Sequence, residues 1–181
     1  MNNNINILLG DITSLEVDII VNAANKSLLG GGGVDGAIHR KAGPKLLEEC
    51  RTLNGCETGE AKMTDAYNLP SKKIIHTVGP IYYLEKETAE SSLKSCYRNC
   101  MIKAEEYRKQ TGKNKISIAF PCISTGIYAY PKDEACRVAV DTIREINNPN
   151  INVIFTCFDE TDYNLYYDYL FDNQKEKQNS K

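Results

Sequence analysis

Gly30-Gly31-Gly32-Gly33-Val34-Asp35-Gly36 places four successive glycines just ahead of an acid, with one valine between, and His39 follows Asp35 by four residues. Glycines have no side chains to pack, and each weakens a regular element by about 0.5–1 kcal/mol relative to alanine. What they supply is backbone freedom and close approach, which suits amides turned toward an oxygen-rich anion at a helix start. A flexible loop tip is the bland alternative, disfavoured because the run leads straight into a helical pattern. Ser124-Thr125-Gly126-Ile127-Tyr128 is a second loop of small donors, between an apolar run and a helix opened by Pro131. Two such loops facing one another would grip a diphosphate, each charge-assisted hydrogen bond contributing about 1.5–3 kcal/mol. Neither loop contains Lys or Arg, so backbone amides must do the holding.

The polar residues between these loops are candidates for chemistry. Asp35 lies in the first turn of a helix, where capping is its simplest use. His39 shares that helical face and can orient or buffer the carboxylate. Asn22-Ala23-Ala24-Asn25 leaves an apolar strand into the same region, where Asn alone is often only a turn former. Asp11 follows the first strand; it can cap the turn Ile12 to Leu15 or accept from the exocyclic amine of a purine. Phe158, after the last strand, could cover a base face. Gly31, Gly33 and Gly36 also satisfy G-x-G-x-x-G, but they lie well beyond the strand. No apolar strand ending in an acid follows near Gly55, which argues against a nicotinamide-dinucleotide fold.

Strand and helix patterns alternate along the chain. Strands are predicted at Ile5 to Leu9, 17–21, 61–67, 73–78, 116–120 and 151–157. Helices are predicted from 34 to 42, 44 to about 53, 87 to 110, from Pro131 through Ile143, and 163 to 171. The residues from 173 to 181 read as a polar, disordered tail to a single domain spanning 1–172. This order implies helix layers on both faces of a mostly parallel sheet. Ligands then bind at the carboxyl ends of strands, which directs attention to the loops after Val21, Phe120 and Cys157.

The 181 residues suffice for one core; 41% are hydrophobic and 25% charged, which is ordinary for a globular chain. The net charge of −2 disfavours a nucleic-acid polymer as partner. Apolar runs are too short to span a bilayer, and no secretory leader is expected. Seven cysteines, an odd number without a C-x-x-C pair, point to reduced thiols and a cytoplasmic setting. Cys96 and Cys100 sit four apart without a second ligand pair, so no metal is expected.

Together, Gly10-Asp11-Ile12-Thr13, Val21-Asn22-Ala23-Ala24-Asn25, Leu28 to Arg40, Ala42-Gly43-Pro44, Thr58-Gly59-Glu60-Ala61, Ile75 to Pro80 and Ile123 to Tyr128 resemble a macrodomain of the MacroD type. The similarity runs from about Ile5 to Leu170. It implies a three-layer α/β/α fold with a central mixed six-stranded sheet. It also implies a crevice for ADP-ribose: Asp11 and the backbone of Ile12 at the adenine, Phe158 lining that pocket, and Ala23 among the contacts. The segments Gly31-Gly32-Gly33-Val34 and Ser124-Thr125-Gly126-Ile127-Tyr128 would wrap the diphosphate. Asn25 and Asp35 match residues that orient the distal ribose and support hydrolysis, with His39 beside that acid. The resemblance implies a hydrolase, free of metal and cofactor, that removes mono-ADP-ribose from acidic side chains of proteins and deacetylates O-acetyl-ADP-ribose. A monomer is expected. The alternatives are a non-catalytic ADP-ribose reader and an ADP-ribose 1″-phosphate phosphatase.

Overall fold

The computed structural model describes residues 4–178. Its layering follows from how the strands divide their side chains. In β2 (Ile19–Ala24), Ile19 and Val21 enter one apolar cluster, and Ile20 and Ala24 another. In β4 (Lys73–Val78), Ile75 faces the first cluster, and Ile74 and Val78 the second. β5 (Ile116–Phe120) sends Ile118 and Phe120 one way and Ala119 the other. Successive side chains on a strand point to opposite faces, so a continuously apolar strand needs cover on both. On one face α1 (Gly33–Ala42) and α2 (Pro44–Thr52) bring Ile38, Leu46 and Cys50. On the other, α3 (Ala89–Thr111), α4 (Lys132–Ile146) and α5 (Glu160–Gln178) bring Leu93, Val138 and Leu170. This thicker layer carries an aromatic chain, with Tyr97 5.0 Å from Phe120 and Phe155 5.0 Å from Tyr166 between ring centroids.

With β1 (Ile5–Leu9), β3 (Ala61–Asp65) and β6 (Ile151–Cys157), the sheet has six strands in the order β1-β6-β5-β2-β4-β3. Every neighbouring pair is parallel except β3–β4, so the sheet is mixed, as expected. The chain leaves β2 toward β4 and β3, then returns to β5 on the other side. β2 and β5 therefore mark a topological switch point, where open sheets of this kind bind ligands. Their pairing stops at Ile20↔Ala119, whereas β2 stays paired with β4 through Ala24↔Val78. β5 ends at Phe120 while β2 runs on to Ala24, and a crevice opens beyond their pairing, lined by Ala23 and Ala24 on one side and Pro121 and Cys122 on the other.

Besides shifts of one to three residues at β3 (Ala61–Asp65, expected to 67), α3 (Ala89–Thr111, expected 87–110) and α4 (Lys132–Ile146, expected 131–143), three boundaries differ from expectation. β2 is displaced toward the loop, to 19–24 rather than 17–21, because β4 holds Asn22, Ala23 and Ala24 in the sheet. α1 starts at Gly33, one residue earlier than the apolar pattern indicates. α5 begins at Glu160 and continues to Gln178, so its backbone takes up 173–178 of the tail expected to be disordered; the Gln, Lys and Glu there are good helix formers. Residues 179–181 of that tail lie outside the described residues.

Candidate active site

The crevice between β2 and β5 has a volume of about 870 Å³. Its floor at one side is the start of α1. Gly32 is the N-cap and provides no side-chain cap, and the first intrahelical bond runs from the Gly36 N–H to the Gly32 carbonyl at 3.2 Å. The amides of Gly33, Val34 and Asp35 therefore have no partner within the helix, and all three residues line the crevice with Gly31 and Gly32. The run needs glycine for separate reasons along its length. Gly30 and Gly33 have φ of +91° and +56°. A Cβ on Gly36 would stand 2.5 Å from the Gly31 carbonyl oxygen.

Opposite lies the loop after β5, from which Ser124, Thr125, Gly126, Ile127 and Tyr128 all line the crevice. It is folded on itself. The Tyr130 N–H donates to the Ser124 carbonyl and the Ala129 N–H to the Gly126 carbonyl, both at 2.9 Å. The Thr125 hydroxyl donates to the Cys122 carbonyl at 3.0 Å. Ser124 has φ of 67°, a left-handed conformation costly to a residue with a Cβ and common at ligand sites. Gly79, at the end of β4, supports it: a Cβ there would fall 2.1 Å from the Ser124 hydroxyl oxygen.

Asp35 and Asn25 converge beneath Gly31. A Cβ on Gly31 would be 3.1 Å from Asp35 Oδ2 and 3.3 Å from Asn25 Nδ2. Asn25 also serves the turn: Nδ2 donates to the Gly30 carbonyl at 2.9 Å, and Oδ1 accepts from the Ser27 amide at 3.1 Å. Asp35 is 4% exposed, so it is a carboxyl group largely removed from water at the edge of a cavity. Burial raises its pKa above the ordinary aspartate value, while the Asn22 hydrogen bond and the His39 charge pull it back. His39 Nε2 lies 3.4 Å from Asp35 Oδ1, near enough to interact but without a hydrogen bond among the described residues. Its ring packs 3.8 Å from where a Gly30 Cβ would stand.

At the far end, Asp11 both caps and lines. Oδ1 accepts from the Thr13 amide at 2.9 Å and from the Thr13 hydroxyl at 2.6 Å. Oδ2 accepts from Lys41 Nζ at 2.8 Å. The Lys41 and Thr13 hydrogen bonds hold the Asp11 carboxyl down at about 2, so it is ionised and acceptor-only near neutrality. Ile12 and Ala23 line the crevice beside it. Phe158 is on the rim with 84% of its surface exposed, an uncovered aromatic face. Every residue singled out as a ligand contact thus lies along one crevice; His39 stands behind the wall, against Asp35.

Other residues at this site escaped the sequence reading. Arg40 and Lys41 bring positive charge to the crevice from the last turn of α1, not from either loop. The hydroxyl of Thr156 is buried at the wall with no partner among the described residues. Asn22 and His76 lie under Asp35, wholly buried. Only the register of β2 against β4, which pairs Asn22 with His76, brings these two together. Among the described residues no three His, Cys, Asp or Glu side chains are grouped so as to hold a metal ion. No described helix is long and apolar enough to cross a membrane.

The family model described as Macro domain matches residues 21–139, which include both loops and the strands beneath them. A macro domain-containing protein of Chlorobaculum tepidum is 55% identical over 159 residues, covering 86% of this chain and 89% of its own. The ADP-ribose glycohydrolase MACROD2 of Xenopus laevis is 54% identical over 162 residues, 87% of this chain but 37% of that longer protein. Among solved structures, a mutant macrodomain of Oceanobacillus iheyensis with ADPR superposes with a TM-score of 0.83 at 43% identity, covering 94% of each chain.

Proposed function

The chain belongs to the macrodomain family, and from that premise we propose that it binds ADP-ribose and hydrolyses mono-ADP-ribose esters. Its substrates are ADP-ribosylated acidic side chains of proteins and O-acetyl-ADP-ribose. The observation that carries this reading is the convergence of the Asp35 carboxylate and the Asn25 amide under Gly31, next to the unpartnered amides of Gly33 and Val34. The amides of α1 and of the loop 124–128 receive the diphosphate. Asp11 and Phe158 receive the adenine, by hydrogen bond and by stacking. Asn25 uses its second amide hydrogen on the distal ribose. The names of the similar proteins support the reading, since MACROD2 is an ADP-ribose glycohydrolase and the Oceanobacillus iheyensis structure holds ADPR.

Asp35 acts as general base. A raised pKa brings a carboxylate nearer the working pH, where it accepts a proton more effectively. A water held against Asp35 attacks the ester linkage at the distal ribose as its proton passes to the carboxylate. The ester C–O bond breaks, the water oxygen stays with the attacked fragment, and the proton moves on to the departing oxygen. His39 keeps the carboxylate oriented. No step calls for a metal or a cofactor. The setting is a reducing cytoplasm, in keeping with seven free thiols of which all but Cys122 are buried, and the working unit is a monomer.

The test is turnover of a protein mono-ADP-ribosylated on glutamate. Free ADP-ribose is expected to accumulate with the wild type. Asp35→Ala should be slower by about 100-fold or more, the usual contribution of a general base, while still binding ADP-ribose. An Asp35→Ala variant at the wild-type rate would overturn the mechanism. Binding without release would make the protein a reader, and phosphate released from ADP-ribose 1″-phosphate would make it a phosphatase.

A further inference from the structure

Thr64, His76 and Asn22 form a buried polar file running from β3 through β4 and β2 to the start of α1. All three are 2% exposed or less. They lie on the sheet face covered by α1 and α2, among Ile20, Ile74 and Ala24, where apolar residues would be the natural occupants. The Asn22 Nδ2 group lies 2.8 Å from Asp35 Oδ1 and 3.1 Å from His76 Nδ1. His76 Nε2 lies 2.8 Å from the Thr64 hydroxyl oxygen. The Thr64 hydroxyl donates onward to the Asp65 carbonyl at 3.1 Å.

One assignment of donors and acceptors satisfies all four contacts. With the Thr64 hydroxyl donating to the Asp65 carbonyl, it accepts from His76, and in this assignment the proton of His76 is on Nε2. Nδ1 is then the acceptor that takes one hydrogen of the Asn22 amide. The second hydrogen of that amide is left for Asp35 Oδ1. Turning the Asn22 amide over would set its oxygen against both Nδ1 and a carboxylate oxygen, all acceptors.

We propose that Asn22 and His76 are positioning residues, which fix Asp35 Oδ1 from beneath so that Oδ2 is presented beside Asn25 in the crevice. His39 approaches the same oxygen, Oδ1, at 3.4 Å without a hydrogen bond, so it alone does not fix the carboxylate. The file ties Oδ1 to an amide whose nitrogen is itself held by His76. Besides each other, the titratable groups facing Asp35 and His76 are His39 on α1, Cys50 on α2 and Tyr128 from the second loop. Burial pushes the Cys50 thiol up to about 11 and raises Tyr128 as well, so both stay neutral at working pH.

The inference rests on Asp35 as the general base, and its test has an arm that does not. His76→Asn keeps an acceptor near the Nδ1 position, whereas His76→Leu, of similar volume, removes it. The expected result is a kcat lower by about tenfold or more for His76→Leu, with recovery to within about threefold of wild type in His76→Asn. The Kd for ADP-ribose should stay within about twofold in both, and the acid limb of the pH–rate profile should move only in His76→Leu. Equal rates and profiles in the two variants, or equal losses, would overturn the proposal. The independent arm is nitrogen NMR of the wild-type imidazoles. His76 is expected as the Nε2–H tautomer with an unprotonated Nδ1, and an Nδ1–H tautomer would overturn the file even if His76→Leu does not fold. If the wild type shows no turnover, the hydrolase reading fails, and the tautomer still decides the hydrogen-bond chain.

Discussion

At the residue scale, the site combines a carboxyl group pushed up by burial with a histidine pushed down by it, and each has a consequence for stability. The folded protein holds a proton on Asp35 more tightly than the unfolded chain does, whose value is near 3.8. Its contribution is therefore most favourable below pH 3.8 and is lost as pH rises through the folded-state value. Replacing it by the isosteric amide should relieve that cost. Asp35→Asn is expected to melt higher than wild type near pH 7, an advantage that shrinks as pH falls toward 3.8. Thermal melts across that range check it. His76 has the opposite sign. Burial depresses its pKa from 6.5 to about 3, so its contribution is complete above 6.5 and is lost as pH falls toward 3. Between about pH 7 and pH 4.5 this should cost roughly 2–3 kcal/mol. The loss should be visible as a drop in urea midpoint for the wild type and largely absent in His76→Asn.

At the element scale, the decisive feature is where α1 starts: α1 to α4 all begin without a side-chain cap, but of these only α1 opens onto the crevice. Isolated helices usually satisfy their first amides with a Ser, Thr, Asp or Asn side chain, which is worth about 1 kcal/mol. α1 instead presents Gly32 there and leaves the donors to a ligand. The geometry depends on Gly36, whose Cα lies so close to the Gly31 carbonyl that a methyl group would stand 2.5 Å from its oxygen. Both partners are backbone and neither can yield cheaply. Gly36→Ala is expected to displace the loop 30–33 and weaken ADP-ribose binding by about tenfold or more. Titration calorimetry checks this, with Gly32→Ala as the comparison, because a Cβ on Gly32 meets nothing within 4 Å and should leave the fold intact. A Gly36→Ala protein that binds as well as wild type would show that the loop adapts.

At the scale of the whole molecule, the crevice lies beyond the short pairing of β2 with β5, which ends at Ile20↔Ala119. A saturating ligand in it should stabilise the fold by mass action, about 2.7 kcal/mol at a concentration one hundred times Kd. The proposed attack of a water activated by Asp35 uses no metal, so hydrolysis is expected to be unchanged by EDTA; loss of rate on chelation and recovery with a divalent cation would refute that. Much of this was legible in the sequence. Gly30 to Gly36, Asp35 with His39, and the loop at Ser124 are contiguous, so their chemistry could be read locally from glycine's freedom and a helix's orphan amides. Strand and helix order followed from periodicity, because burial on two faces makes continuous apolar runs. What only the tertiary structure decided is non-local. Arg40 and Lys41 reach the crevice from the far end of α1, and Lys41 pairs with Asp11 thirty residues earlier. Asn22 read as the start of a loop, yet β4 captures it into the sheet. His76, inside an apolar strand, showed nothing of its neighbours. A strand's sequence states which side chains share a face; only its register against the next strand states which of them touch, and register is a property of the assembled sheet.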